Sequence, residues 1–244
     1  MEVIRVKDFD EMSERAASFL AERIERLENP VLGLATGSTP EGLYQCLIKK
    51  YNQGEISFKQ VKSFNLDEYV GLEKTDPNSY YYFMKRNLFD HVDISLNHVR
   101  VPNGVAADLQ QECDEHEKAI KAAGGIDVQL LGIGANGHIG FNEPGSTFKS
   151  KTHVADLDES TIQANSRFFN SMEEVPTQAI SMGIETIMNS KEILLLISGE
   201  SKAEALAKLL HGEVTEKVPA SILKNHPNVT VIADEAAFTV ADKK

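Results

Sequence analysis

The 244-residue sequence is poor in cysteine, with only Cys46 and Cys113. They lie far apart in segments that read as helices, so two buried free thiols are expected rather than a disulfide or a cysteine metal site. Basic residues are also scarce. The 25 Lys and Arg face 37 Asp and Glu, a formal net charge of −12. Affinity for a phosphate backbone comes from clustered Lys and Arg, so the deficit argues against nucleic acid as a partner. It argues equally against a polybasic membrane anchor. Long apolar runs are lacking: the longest, Ile193–Ile197, falls far short of the roughly 20 residues of a membrane span. Residues 1–10 carry charges without an apolar core, so no secretory signal and a cytoplasmic location are expected. No fixed-period repeat and no low-complexity linker divides the chain. What remains is ordinary globular usage, 41% hydrophobic and 25% charged. A chain this long buries roughly 70–75% of its unfolded surface without a metal or disulfide staple.

Apolar runs alternate with amphipathic segments. Phe19, Leu20, Ile24 and Leu27 have helical spacing. Strands are expected at 31–35, 61–66, 99–101, 126–133, 192–197 and 229–233. Helices are expected from Thr39-Pro40 to Lys50, from Asp76-Pro77 to about Phe89, and over 106–123, 176–188 and 201–211. The run 126–133 is apolar at nearly every position, as in a strand covered on both faces. This pattern predicts one α/β domain over residues 1–244, built on a single open, mostly parallel, doubly wound Rossmann-like sheet with helices on both faces. The stretch 142–178 is long, polar and weakly periodic, a combination typical of a functional segment such as a lid.

In open α/β sheets ligands bind beyond the carboxyl ends of the strands. After the first expected strand come Gly37, Ser38, Thr39 and Pro40, either an ordinary capped turn or a phosphate cradle at a helix N-terminus. The loop lacks the lysine of a P-loop and the third glycine of a dinucleotide fingerprint. A comparable turn, Ser198 to Lys202, has capping-box spacing between Ser201 and Glu204. It places Lys202 in a first helical turn, where a cation is unfavourable unless an anion is near. Asp67 and Glu68 close the second strand; a carboxylate there suits a general base or is a solvated loop acid. Four glycines within nine residues mark the turn Gly132–Gly140, which carries Asn136 and His138 and leads to Glu143. Histidine shuttles protons near neutral pH, and an amide or carboxylate within reach would fix its tautomer. The other histidines are scattered, so no metal site is expected. Arg167, within the long polar stretch, is either a surface residue or a planar phosphate ligand.

Four strings, Leu34 to Pro40 (LATGSTP), Asn65 to Gly71 (NLDEYVG), Gly132 to Pro144 (GIGANGHIGFNEP) and Ala164 to Phe169 (ANSRFF), together resemble the glucosamine-6-phosphate deaminase family, in order along nearly the whole chain. The resemblance implies conversion of glucosamine 6-phosphate and water to fructose 6-phosphate and ammonium, in amino sugar catabolism, without a cofactor. It implies that His138 carries the ring-opening proton, oriented by Glu143 and Asn136, and that Asp67 moves the proton from C2 to C1. Gly37, Ser38, Thr39, Arg167 and Lys202 would hold the substrate phosphate, and residues 157–177 would form a mobile lid.

The sequence departs from the family in two places. Many members have Asp where this chain has Asn136, and an amide stabilises imidazolium less than an anion does. Hexameric, allosterically activated members have basic residues where this chain has His153 and Ala155, and a longer C-terminus. A monomer without an allosteric sugar site is therefore expected. Two other readings are a 6-phosphogluconolactonase-type hydrolase, which needs no C2 base, and a non-catalytic sugar-phosphate sensor, which would usually carry a basic helix-turn-helix.

Overall fold

The computed structural model describes residues 1–243. In chain order its elements are β1 (Glu2–Val6), α1 (Phe9–Arg26), β2 (Val31–Leu34), α2 (Ser38–Asn52), β3 (Lys62–Asn65), β4 (Asp67–Tyr69), α3 (Tyr80–Asn87), β5 (Val99–Arg100), α4 (Leu109–Ala122), β6 (Val128–Leu131), β7 (His153–Asp156), α5 (Glu159–Asn165), β8 (Gln178–Ser181), α6 (Ile184–Met188), β9 (Glu192–Ile197), α7 (Ala203–His211) and β10 (Val229–Asp234), with short 3₁₀ turns between them.

Seven strands form one parallel sheet in the order β1-β10-β9-β6-β2-β3-β5. Every residue of β2 and β6 is buried, Gln129 of β6 included, as in strands covered by helices on both faces. Helix α1 starts at Asp8, whose carboxylate accepts the Glu11 amide at 3.0 Å. It buries Met12, Ala16, Leu20 and Ile24, spaced four residues apart along one face.

The chain lays down β2, then β3 and β5 on one side of it, and returns to the other side with β6. This reversal opens a crevice beyond the carboxyl ends of β2 and β6, where a ligand is expected in such a sheet.

Several local expectations are corrected. The edge strand β1 contains Glu2 and Arg5 and has no apolar run to announce it. Helix α2 starts at Ser38 with Gly37 as its cap, so Thr39 is inside the helix rather than capping it. Helix α3 begins at Tyr80, not at Asp76-Pro77; Ser79 caps it, its hydroxyl accepting the Tyr82 amide at 3.1 Å. Helix α4 begins at Leu109 under Asp108. The expected helix over 176–188 divides into β8 and the short α6. The break falls at Gly183, where any Cβ would collide with the backbone of Ser150 and Lys151. Strands β4, β8 and β7 form a second, three-stranded antiparallel sheet that the sequence pattern did not suggest. Cys113 is buried, whereas Cys46 is only partly so; both are free thiols.

Candidate active site

The loops after β2 and β9 share one backbone conformation. Gly37 has φ 96° and ψ 177°, and Gly199 has φ 90° and ψ 154°. Both are left-handed values that favour glycine, and both glycines face open space. The expected capping box of Ser201 and Glu204 does not form. The carboxylate of Asp234, buried at the end of β10, holds this loop instead. It accepts the Gly199 amide at 3.0 and 3.1 Å and also the Ser198 hydroxyl.

Lys202 follows, half-buried. Burial and the nearby charge of Arg167 hold its ammonium below the usual lysine range. Arg167 is exposed, its guanidinium 4.7 Å from the centre of the Phe168 ring. Among the described residues neither cation has a carboxylate partner. Two unpaired cations close enough to repel one another form a site that an anion would relieve.

Asp67 directly follows the sheet strand β3 and Leu66, and begins β4. It is 7% exposed, and its carboxylate makes no hydrogen bond among the described residues. Burial, with the charge of Glu68, pushes its carboxyl up to about 8. The buried site is thus unlike the solvated loop acid that the sequence also allowed. Glu68 has a different task. Its two oxygens accept the amides of Tyr69 and Tyr80, each at 2.9 Å, and of Tyr81 at 3.0 Å, fixing the head of α3 to the end of β4. Burial pushes Glu68 up to about 7, and the three amides oppose that rise.

The glycine-rich turn brings Asn136, His138 and Glu143 together. Glu143 Oε2 is 3.2 Å from His138 Nδ1 and accepts Asn136 Nδ2 at 2.8 Å. Asn136 Oδ1 accepts the His138 amide at 3.1 Å. A proton on Nδ1 directed at Glu143 leaves Nε2 free to accept one, the tautomer that a proton carrier needs. Burial raises the Glu143 carboxyl, but the hydrogen bond and charge of His138, with Thr161 and Asn136, outweigh it and bring the group down to about 2. Gly134 underlies the imidazole: a Cβ there would lie 2.5 Å from both ring nitrogens.

This turn is anchored beside Asp67. Ser181 pairs with Asp67 across the small sheet, and its hydroxyl accepts the Phe141 amide at 2.9 Å. Asn142, fully buried, donates to the carbonyls of Ile139 and Met182, each at 2.8 Å. The polar segment 157–177 leaves β7 and returns through β8. Its Phe169 ring lies 5.8 Å from that of Tyr69, and its Thr161 hydroxyl donates to Glu143 Oε1 at 2.6 Å. Sequence reasoning missed Thr161, Ser181 and Asp234. None has a local signal, because each contacts a partner at least 18 residues away.

An acid–base pair, an unpartnered Lys202 beyond the parallel strand β9 and an unpartnered Arg167 on the 157–177 segment define an enzyme of small anionic substrates. The chain belongs to the family of glucosamine-6-phosphate isomerases/6-phosphogluconolactonase, whose model matches residues 7–232. A glucosamine-6-phosphate deaminase of Oceanobacillus iheyensis is 60% identical over 238 residues, covering 98% of this chain and 95% of that one. Another, from Shouchella clausii, is 58% identical over 244 residues, covering 100% and 99%. A solved monomeric glucosamine-6-phosphate deaminase superposes with a TM-score of 0.97 at 50% identity, covering 98% of this chain and 100% of that one. The 6-phosphogluconolactonase of Thermotoga maritima, at 18% identity and a TM-score of 0.76, covering 96% and 99%, shares the fold.

Proposed function

We propose that this chain converts D-glucosamine 6-phosphate and water to D-fructose 6-phosphate and ammonium in amino sugar breakdown, using its own side chains without a cofactor. The observation that carries the reading is the juxtaposition of a buried, unpaired Asp67 with the His138–Glu143 pair on a shared scaffold through Ser181. A lactonase needs no base of the Asp67 kind.

His138 takes the O1 proton of the closed sugar through Nε2 and returns it to the ring oxygen, opening the ring to an aldehyde. Glu143 holds Nδ1 and balances the transient imidazolium. Asp67 then removes the proton at C2, which is acidified by the adjacent aldehyde, while one proton passes from the ammonium nitrogen to O1 to give an enolamine, and redelivers its proton at C1. The product of that shift is an iminium at C2; water adds there and ammonium leaves. A positioned general base contributes about 10²–10⁴-fold to such a step. The phosphate is held by the amides and hydroxyls of Gly37, Ser38 and Thr39 with Lys202 and Arg167, away from the reacting carbons, so its binding energy orients them.

Residues 157–177 act as a lid in a single catalytic domain, drawn shut as Arg167 meets the phosphate. By its similarity to the monomeric relative, the chain works as a monomer; the charged residues 1–10 are the ground for placing it in the cytoplasm. In β7, where activated members are basic, this chain has His153 and Ala155, and a site for N-acetylglucosamine 6-phosphate is not expected. Among the described residues no helix is long and apolar enough to cross a membrane. The test is to supply glucosamine 6-phosphate and measure both products. Ammonium and fructose 6-phosphate should rise in equal amounts. Hydrolysis of 6-phosphogluconolactone with no ammonium would replace this reading with the lactonase one.

A further inference from the structure

Glu143 divides its two oxygens between two parts of the molecule. Oε2 serves the glycine-rich turn, facing His138 Nδ1 at 3.2 Å and accepting Asn136 at 2.8 Å. Oε1 serves the segment 157–177, accepting the Thr161 hydroxyl at 2.6 Å and, at longer range, the Asp158 amide at 3.4 Å. Thr161 is 5% exposed, although the residues around it in α5 are mostly open to solvent. Its β-branched side chain has few rotamers, which suits it to hold one oxygen in one place. A hydroxyl donating to a carboxylate makes a short, charge-assisted bond.

We infer that Thr161 is a positioning residue that ties closure of the 157–177 segment to the orientation of the His138–Glu143 pair. The inference rests on the role proposed above for that pair. When the segment lies in place, both Glu143 oxygens are occupied and the carboxylate cannot rotate away from Nδ1. When the segment withdraws, Oε1 loses Thr161 and Asp158 together, and Glu143 is free to turn. Arg167 lies in the same segment, so contact with the substrate phosphate and alignment of the proton carrier become one event. The relay is set when substrate is enclosed and slack when it is not.

The test compares Thr161→Val, which keeps the shape and removes the hydroxyl, with Thr161→Ser, which keeps the hydroxyl, and with Glu143→Gln. Losing one hydrogen bond to a charged group should lower kcat of Thr161→Val about tenfold or more. KM should stay near the native value, and Thr161→Ser should regain most of kcat. The ¹⁵N signals of the His138 ring, assigned by their loss in His138→Gln, should move toward a mixed tautomer population in Thr161→Val and stay native-like in Thr161→Ser. Native kcat in Thr161→Val, an equal loss in both Thr161 variants, or a raised KM with kcat and ring signals unchanged would overturn the inference. Glu143→Gln separates the two levels of the account. Full turnover by Glu143→Gln would reject the role proposed for Glu143 itself, whereas an impaired Glu143→Gln beside a fully active Thr161→Val rejects only the coupling.

Discussion

Asn136 donates its amide at 2.8 Å to the same Glu143 oxygen that faces His138. The pair is therefore held by a neutral donor where many relatives are expected to place a second carboxylate. Replacing Asn136 by Asp removes that donor and adds negative charge beside the imidazole, favouring its protonated form. Asn136→Asp should stay active and shift the pH profile of kcat/KM to higher pH. A profile that coincides with the native one would contradict this account of the site.

The buried Asp67 sets a second pH dependence. The base must be ionised, so kcat/KM should climb with pH until about 8 and then level. Stability runs the other way. An acid whose folded value is raised costs nothing below its unfolded value near 4, costs more as pH rises through the interval to about 8, and costs its full amount above. Asp67→Asn should therefore be inactive yet more stable at pH 9 than the native protein, by an amount on the order of a few kcal/mol, with the gain vanishing at pH 4. Thermal melts at the two pH values check this; equal melts at pH 9 would mean that Asp67 is not held as a costly buried acid.

Gly134 and the His138 ring are in close apposition. Gly134→Ala places a methyl 2.5 Å from both ring nitrogens, so the ring must move. Overpacking of this kind costs typically about 1–3 kcal/mol of stability. The larger effect should be on kcat, because a displaced imidazole no longer spans Glu143 and substrate. A native kcat in the alanine variant would show that His138 has no need of its observed position.

The paired cations should act on binding. Lys202→Met removes a half-buried charge and should raise KM roughly tenfold or more. Arg167→Met removes an exposed one and should act less at physiological salt, where screening discounts it. Their double variant should lose more than the sum of the two, since each single removal also relieves the repulsion between them and the double variant gains that relief only once. Inhibition by inorganic phosphate, measured across the three variants, reports the same site without turnover.

Much of this was legible in the residues. Strands β2, β6, β9 and β10 announced themselves because burial on both faces demands mostly apolar runs. His138 and Glu143 stood out because a turn packed with glycine carries few side chains, and those it keeps are chemical. The edge strand β1 was hidden, since one-sided pairing tolerates Glu2 and Arg5. The second sheet was hidden for another reason. Strands β4, β7 and β8 have only three or four residues each and come from distant parts of the chain, so local periodicity cannot report them. Helix starts at Gly37 and Gly199 defeated rules written for Ser and Thr, because neither glycine offers a side chain to cap the turn. Thr161 looked like any threonine in a polar stretch; only the fold brings it to Glu143.

The account turns on Asp67 as the group that carries hydrogen between C2 and C1. Glucosamine 6-phosphate labelled with deuterium at C2 tests it most directly, by following the label in substrate and product. Native protein should release the label to solvent or pass it to C1 of fructose 6-phosphate, and Asp67→Asn should leave it at C2 while still binding the substrate. Continued loss of the C2 label in Asp67→Asn at the native rate would contradict the account and place the base elsewhere.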